Sequence, residues 1–311
     1  MAAETAPGVY ERLTAAFKDK LVYHAPLKDY TSTQLGGVTD YLVKVETCDE
    51  LILAVKIASE HKIPYLILGG GSGVIVGDSG WPGLTIINAV ETFSILPELS
   101  QVIVGSGMRN GHLVNLAANN GLGADEFLAG IPGTIGGAVA TGATYNNKTV
   151  YSILKEVVLY LPNQTENPVV TVPVKDIEAE SLTSRFDFSQ NFPPVILSIK
   201  LQLARLPEDE ILKRISAVRA DRPPKDCRLG WCFTTDCREA LKRNNYRFPN
   251  TNGVHLDRRN ANLVVGSGKK VTSSTYRQVL EDVRNLTLEE ADPLVFRTRF
   301  VGYWPDGEEN G

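Results

Sequence analysis

The groups in this chain best suited to chemistry are backbone amides rather than side chains. Residues 66–76 read LILGGGSGVIV, with four glycines among the five positions Gly69, Gly70, Gly71, Ser72 and Gly73. Glycine leaves no side chain to pack and adopts backbone angles closed to other residues. Successive N–H groups in such a turn form a concave nest suited to an anionic phosphate. The flanks, Tyr65 to Leu68 and Val74 to Val76, are apolar and β-branched, so the pattern is strand, glycine loop, strand. A Rossmann fingerprint fits badly, because Val74 stands where its last glycine belongs and no helix follows. A Walker loop needs Lys-Ser/Thr after its last glycine, and none is present. A tight hairpin that binds nothing is the competing reading.

A second glycine-rich stretch, IPGTIGGAV, occupies residues 131–139. Pro132 suits an early helical position, and the exposed N–H groups of a helix start attract anions. Alone, the stretch reads equally well as a loop where two backbones approach closely. Two cradles about sixty residues apart point together to a ligand with two phosphates, such as a dinucleotide.

Those loops need elements to hold them. Residues 9–21 are expected to form a helix with Leu13, Phe17 and Leu21 on one face. Residues 40–45 alternate like a strand. Thr47 or Asp49 then caps a helix through His61 that buries Leu51, Val55 and Ala58, and the chain returns to the strand before Gly69 as a βαβ unit. Residues 84–88, 101–105, 153–161, 169–172, 195–203, 261–265 and 294–301 read as strands. Residues 112–120 (ended by Gly121), 206–220, 236–244 and 273–286 read as helices. Residues 221–225, with two prolines, look like a linker or hinge. The fold class is α+β.

Composition narrows the function. A length of 311 residues, 43% of them hydrophobic, suits two or three domains. Net charge −4 argues against a general nucleic-acid binder. Residues 205–260 nevertheless hold 13 Lys and Arg against eight Asp and Glu, which suggests either a solvated basic surface or an anionic small-molecule site. No apolar run reaches membrane-spanning length, and residues 1–20 resemble an amphipathic helix more than a signal peptide. Four cysteines fit a reducing, cytoplasmic setting, and the spacing of Cys227, Cys232 and Cys237 matches no usual zinc pattern. The expected partner is a small molecule, with no metal, nucleic acid or membrane.

Several strings carry a family resemblance. Asp40-Tyr41-Leu42-Val43, Ile63-Pro64, Leu68-Gly69-Gly70-Gly71-Ser72 and above all residues 127–139, FLAGIPGTIGGAV, are similar to the UDP-N-acetylenolpyruvoylglucosamine reductase (MurB) family. The likeness continues through Asn260-Ala261-Asn262-Leu263-Val264-Val265 and Phe300-Val301-Gly302. It implies a vanillyl-alcohol-oxidase/PCMH-type FAD-binding fold over residues 1–204, in subdomains of about 22–90 and 91–204, then a MurB-like α+β substrate domain over residues 205–311. It also implies non-covalent FAD, with NADPH as electron donor and an enolpyruvyl ether as acceptor. The FAD contacts would be Leu68, Gly69, Gly70, Gly71, Ser72, Gly73, Ile131, Pro132, Gly133, Thr134, Gly136, Gly137 and Val139.

The resemblance breaks in the catalytic segments. Reducing an enol ether beside a carboxylate needs hydride at one carbon, a proton at its neighbour, and groups that hold the developing enolate-like charge. The family takes its proton from a serine; here Gly230-Trp231-Cys232-Phe233 puts tryptophan there, and indole N–H is no proton-transfer acid near neutral pH. Cys232 is the neighbouring candidate donor, although adjacent strand residues face opposite ways. The family's late glutamate is replaced by Arg297, and its Tyr-Arg-x-Ser segment keeps only Arg185. Gly73 replaces an asparagine, and residues 141–145 read TGATY where the family has Asn-Ala-Gly-Ala-Tyr. The catalytic candidates are therefore Arg185, Cys232 and Arg297, with Trp231 and Arg299 as substrate contacts. Each has a plainer reading: Arg185 paired with Asp187 or Asp176, Trp231 a pocket wall, Arg297 a solvated face residue, Cys232 an inert thiol. His112 and His255 have no visible partner. The expected function is an FAD-binding, MurB-like oxidoreductase recruited to a different, small anionic substrate; the alternatives are a cell-wall reductase with a rearranged acid and a non-redox binding protein or redox-neutral catalyst on the same fold.

Overall fold

The computed structural model describes residues 8–176, 192–220, 228–231, 237–243, 250–256, 263–266, 271–288, 294, 296, 298–304 and 309–310. The chain divides into two units: Met1–Ala25, Asp40–Gly69 and Gly83–Arg222 form the first, and Pro26–Thr39, Gly70–Pro82 and Pro223–Gly311 the second.

In the first unit, helix α1 (Val9–Phe17) buries Leu13 and Phe17 and stops where Lys18 takes φ 44°, outside the helical region. A 3-10 turn, Lys18–Lys20, leads into a strand at Leu21–Pro26. The helix expected through residue 21 is thus corrected: Leu21 is buried, but as the first residue of that strand. Helix α2 (Cys48–Glu60) is capped by the Thr47 hydroxyl, which accepts from the Glu50 amide at 3.2 Å. Its Leu51, Val55 and Ala58 are buried, as their spacing requires. The chain then enters strand Tyr65–Leu68, which pairs in parallel with strand Trp81–Asn88. The sheet order is Leu21–Pro26, Val38–Val45, Trp81–Asn88, Tyr65–Leu68.

A second, antiparallel sheet in this unit runs Val169–Pro173, Leu154–Tyr160, Val195–Gln202, Gln101–Gly105, Phe93–Leu96. Helices α3 (Asn110–Ala118), α4 (Ile135–Ala140) and α5 (Glu208–Ala220) share one apolar core with it, including Val104, Leu113, Ile135, Val157, Ile199 and Ile211. Helix α5 follows the last strand yet returns to this unit, against a 3-10 turn at Glu126–Gly130.

In the second unit, Leu35 and Ile75 join a core with C-terminal residues such as Val254, Val264, Tyr276 and Leu280. An antiparallel sheet runs Arg228–Trp231, Leu263–Gly266, Val254–Leu256, Asn250–Thr251. After the short helix α6 (Arg238–Arg243), helix α7 (Ser273–Asn285) buries Tyr276, Val279, Leu280 and Val283. The Asp78 carboxylate accepts from the first amides of α7, Ser273 and Ser274, at 2.9 and 3.0 Å. Strand Val74–Val76 pairs in parallel with Arg299–Tyr303. The strand expected from residue 294 therefore starts at Arg299, the register partner of Val74. Because Tyr65–Leu68 and Val74–Val76 join different sheets, residues 69–73 are not a hairpin turn, and that reading is overturned. The proposed hinge at residues 221–225 lies outside the described residues. Among the described residues, no helix is long and apolar enough to cross a membrane.

Candidate functional site

Residues 131–137 connect the 3-10 turn Glu126–Gly130 to α4. The helix start expected near Pro132 is corrected: α4 begins at Ile135, and the Thr134 hydroxyl caps it by accepting from the Gly137 amide at 3.3 Å. Gly133 takes φ +104°, a conformation that L side chains rarely adopt and that no helix can contain. Segment 106–110 clamps this loop from one side. The amides of Ile135 and Gly136 donate to the carbonyls of Met108 and Ser106, each at 2.9 Å, and the Asn110 amide donates to the Gly133 carbonyl at 3.1 Å. The Asn110 side chain donates to the Ile131 carbonyl at 3.1 Å. Behind them, Asn88 Nδ2 donates to Ser106 Oγ at 2.8 Å. With these bonds made, no acceptor among the described residues takes the amides of Gly133 and Thr134. Ile131 and Val139 are buried anchors, whereas Pro132 and Gly137 are exposed.

The first glycine stretch reaches this loop at one point. A Cβ on Gly69 would collide with the Thr134 hydroxyl, so glycine there permits the contact; Leu68 before it is buried. In the second unit, Gly71 has φ +61°, and a Cβ on it would strike the Tyr30 carbonyl. The Ser32 amide donates to the Gly71 carbonyl, and the Arg299 amide to that of Gly73, each at 3.0 Å. The amides of Gly70, Gly71 and Gly73 meet no acceptor among the described residues. A Cβ on Gly73 would meet nothing within 4 Å, so its space is open. Unclaimed N–H donors and missing side chains are what a pyrophosphate requires. Both stretches fit that group.

Two buried acids stand at the start of the 3-10 turn that leads into the second loop. Glu126 is buried, accepts from the Ala124 amide at 3.1 Å, and lies 3.4 Å from the Arg214 guanidinium on α5. Its neighbour Asp125 is fully buried, and neither carboxylate oxygen has a partner among the described residues. Burial, and then the adjacent Glu126 charge, hold the Asp125 carboxyl well above the usual carboxylate range.

Arg185, Cys232 and Arg297 lie outside the described residues. Trp231 ends its strand opposite Leu263. Arg299 is half-buried and begins its strand at the foot of the first glycine stretch, with its amide on Gly73. His112 is not alone, as its Nδ1 lies 3.5 Å from Glu91, a residue too far back in the sequence to suggest the pair. His255 lies in strand Val254–Leu256, its Nδ1 buried and unpartnered among the described residues. Sequence reading missed Asn110 and Asp125. Asn110 was visible as a capping-type residue just before an expected helix, and Asp125 as the first of two adjacent acids, with Glu126, between apolar residues.

A family model described as an FAD binding domain matches residues 39–165. The UDP-N-acetylenolpyruvoylglucosamine reductase of Myxococcus xanthus is 38% identical over 136 residues, 42% of this chain and 44% of that protein. The chain thus spans about half the length of the first curated relatives it matches. The protein of the same name from Chlamydia pneumoniae is 25% identical over 285 residues, 90% of this chain and 91% of its own length. Among solved structures, UDP-N-acetylenolpyruvylglucosamine reductase (MurB) from Thermus caldophilus superposes with a TM-score of 0.67 at 25% identity, covering 92% of this chain and 98% of that one. The chain therefore has an α+β FAD-binding fold and is similar along most of its length to the MurB reductases.

Proposed function

We propose that the chain is an FAD-dependent reductase of MurB type, acting on an enolpyruvyl ether of a UDP-sugar with NADPH as electron donor. The observation that carries this reading is the pair of glycine stretches: Gly69 seats against Thr134, while the amides of Gly133 and Thr134 stay unclaimed. Leu68, Gly69, Gly70, Gly71, Ser72 and Gly73, with Ile131, Pro132, Gly133, Thr134, Gly136, Gly137 and Val139, are the proposed FAD contacts. Of these, Gly133 and Thr134 in the first unit have amides that no described residue accepts, as do Gly70, Gly71 and Gly73 in the second, and Ile131 and Val139 anchor the second stretch. Bound FAD supplies two-electron transfer from a nicotinamide to an activated alkene. The chain supplies the rest: Arg185, Arg297 and Arg299 hold negative charge at and beside the substrate carboxylate, Cys232 delivers the proton, and Trp231 walls the substrate. The setting is cytoplasmic.

One sequence observation favours a second reading. Trp231 and Arg297 stand where the MurB reductases keep a serine and a glutamate. Losing a positioned acid typically costs about 10²–10⁴-fold in rate, so the scaffold would instead serve another small anionic substrate.

Two measurements test the readings, and the second separates them. A flavin absorption spectrum that survives desalting after incubation with FAD is expected under both, and its absence would overturn both. Anaerobic stopped flow then follows the NADPH-reduced protein after addition of UDP-N-acetylglucosamine enolpyruvate. Reoxidation within seconds supports the first reading. A flavin that stays reduced, with Trp231→Ser plus Arg297→Glu restoring reoxidation, supports the second.

A further inference from the structure

We propose that Asn110 is the positioning residue of the phosphate-facing turn, setting the direction of the Gly133–Thr134 peptide. The inference rests on the FAD reading above. Asn110 is fully buried at the start of α3 and touches residues 131–133 twice, through its main-chain amide to Gly133 and its side-chain amide to Ile131. In a planar trans peptide the carbonyl and the following N–H point in opposite directions. Drawing the Gly133 carbonyl toward Asn110 therefore turns the Thr134 amide away from it, to the side where no described residue accepts its proton. Pro132 has no N–H with which to secure the turn, so the Ile131 carbonyl on its other side must be held by something else. The Asn110 carboxamide does this.

The Asn110 Oδ1 atom is buried without a partner among the described residues. A buried acceptor left unpaired is unfavourable for folding. A side chain chosen only for stability would avoid it, whereas one chosen to aim the turn needs only its donor. Asn110 reaches the ligand through the loop and is not assigned a part in the chemistry.

The test uses the full-length protein stripped of flavin, with FAD, ADP and riboflavin as calorimetric probes. Asn110→Leu keeps the branched shape and removes the side-chain donor to the Ile131 carbonyl while leaving the main-chain bond to Gly133; Asn110→Ser keeps an O–H donor in a shorter side chain. The expected result is FAD and ADP binding weakened alike in the Leu variant, by about tenfold or more, the scale of one buried carbonyl left unsatisfied. Riboflavin, which lacks phosphate, should bind as it does to the parent, and the Ser variant should recover part of the loss. Equal FAD affinity in parent and Leu variant would overturn the inference and leave the FAD reading intact. An equal loss for all three ligands would also overturn it, by marking a general loosening. If the Leu variant fails to fold, the Ser variant decides: affinities for FAD and ADP that equal the parent's, or fall together with riboflavin's, count against it, and a phosphate-selective loss counts for it. A parent that binds neither FAD nor ADP would overturn both this inference and the reading beneath it.

Discussion

In residues 69–73 the missing side chains let main chain lie against other groups: Gly71 against the Tyr30 carbonyl, Gly69 against the Thr134 hydroxyl. In residues 131–137 the loop is held by hydrogen bonds from segment 106–110, and Gly136 is pressed onto that segment at Ser106. Gly73 and Gly137 are of another kind. Gly73 faces open space, and a Cβ on Gly137 would meet only the Thr134 hydroxyl, at 3.6 Å. Glycine content is therefore a poor measure of phosphate binding. What packing leaves unexplained is the better one, and it can be tested position by position.

The largest effect is expected at Gly71. Valine there would combine left-handed strain with a backbone collision, so stability should fall by more than about 3 kcal/mol. Chemical denaturation measures it, and an unchanged midpoint would move Gly71 into the open class. Gly133→Val comes next. Its φ of +104° implies strain of about 1–3 kcal/mol, and the side chain would stand beside the unclaimed amides. The folded variant should lose FAD on desalting, as should Gly70→Val; retention in both would remove the cradle from the functional reading.

The third prediction concerns pH. Asp125, at the start of the turn that leads into the second stretch, has its folded value raised above 3.8 by burial and by Glu126. Its contribution to folding is full below the unfolded value and is lost as pH rises from about 4 through the raised folded value, by up to about 1.4 kcal/mol per pH unit. Asp125→Asn removes that loss. Its advantage in thermal midpoint over the parent should therefore grow as pH rises above about 4. A gap that stays constant across the range would sink the assignment.

The smallest change is at the open positions. Gly137→Ala lies within α4, meets no close neighbour, and should stabilise the protein by about 0.5–1 kcal/mol. Gly73→Ala should be neutral for folding. Both should nonetheless weaken FAD binding, as read by flavin fluorescence titration. If neither does, the open space belongs to solvent.

Local sequence determined more of this molecule than its low identity to known structures suggests. Thr47 capping α2, the buried spacing of Leu51, Val55 and Ala58, and the strand–glycine–strand order around Gly69 depend on residues a few positions apart, and all are found. The glycine content of both stretches, on which the proposed phosphate contacts rest, was equally legible, because it lies in the residue types themselves. Tertiary structure decided the rest. That Tyr65–Leu68 and Val74–Val76 join different sheets depends on partners at Trp81–Asn88 and Arg299–Tyr303. The end of α1 is set by one left-handed lysine, and the start of α4 by the clamp from segment 106–110. Asn110 and Asp125 acquire their meaning from burial, which a run of letters does not state. Hydrogen bonds and buried charges are pairwise and can close over any sequence separation, whereas caps and periodicities are short-ranged; that difference in reach is why the elements could be read in advance and the site had to be seen.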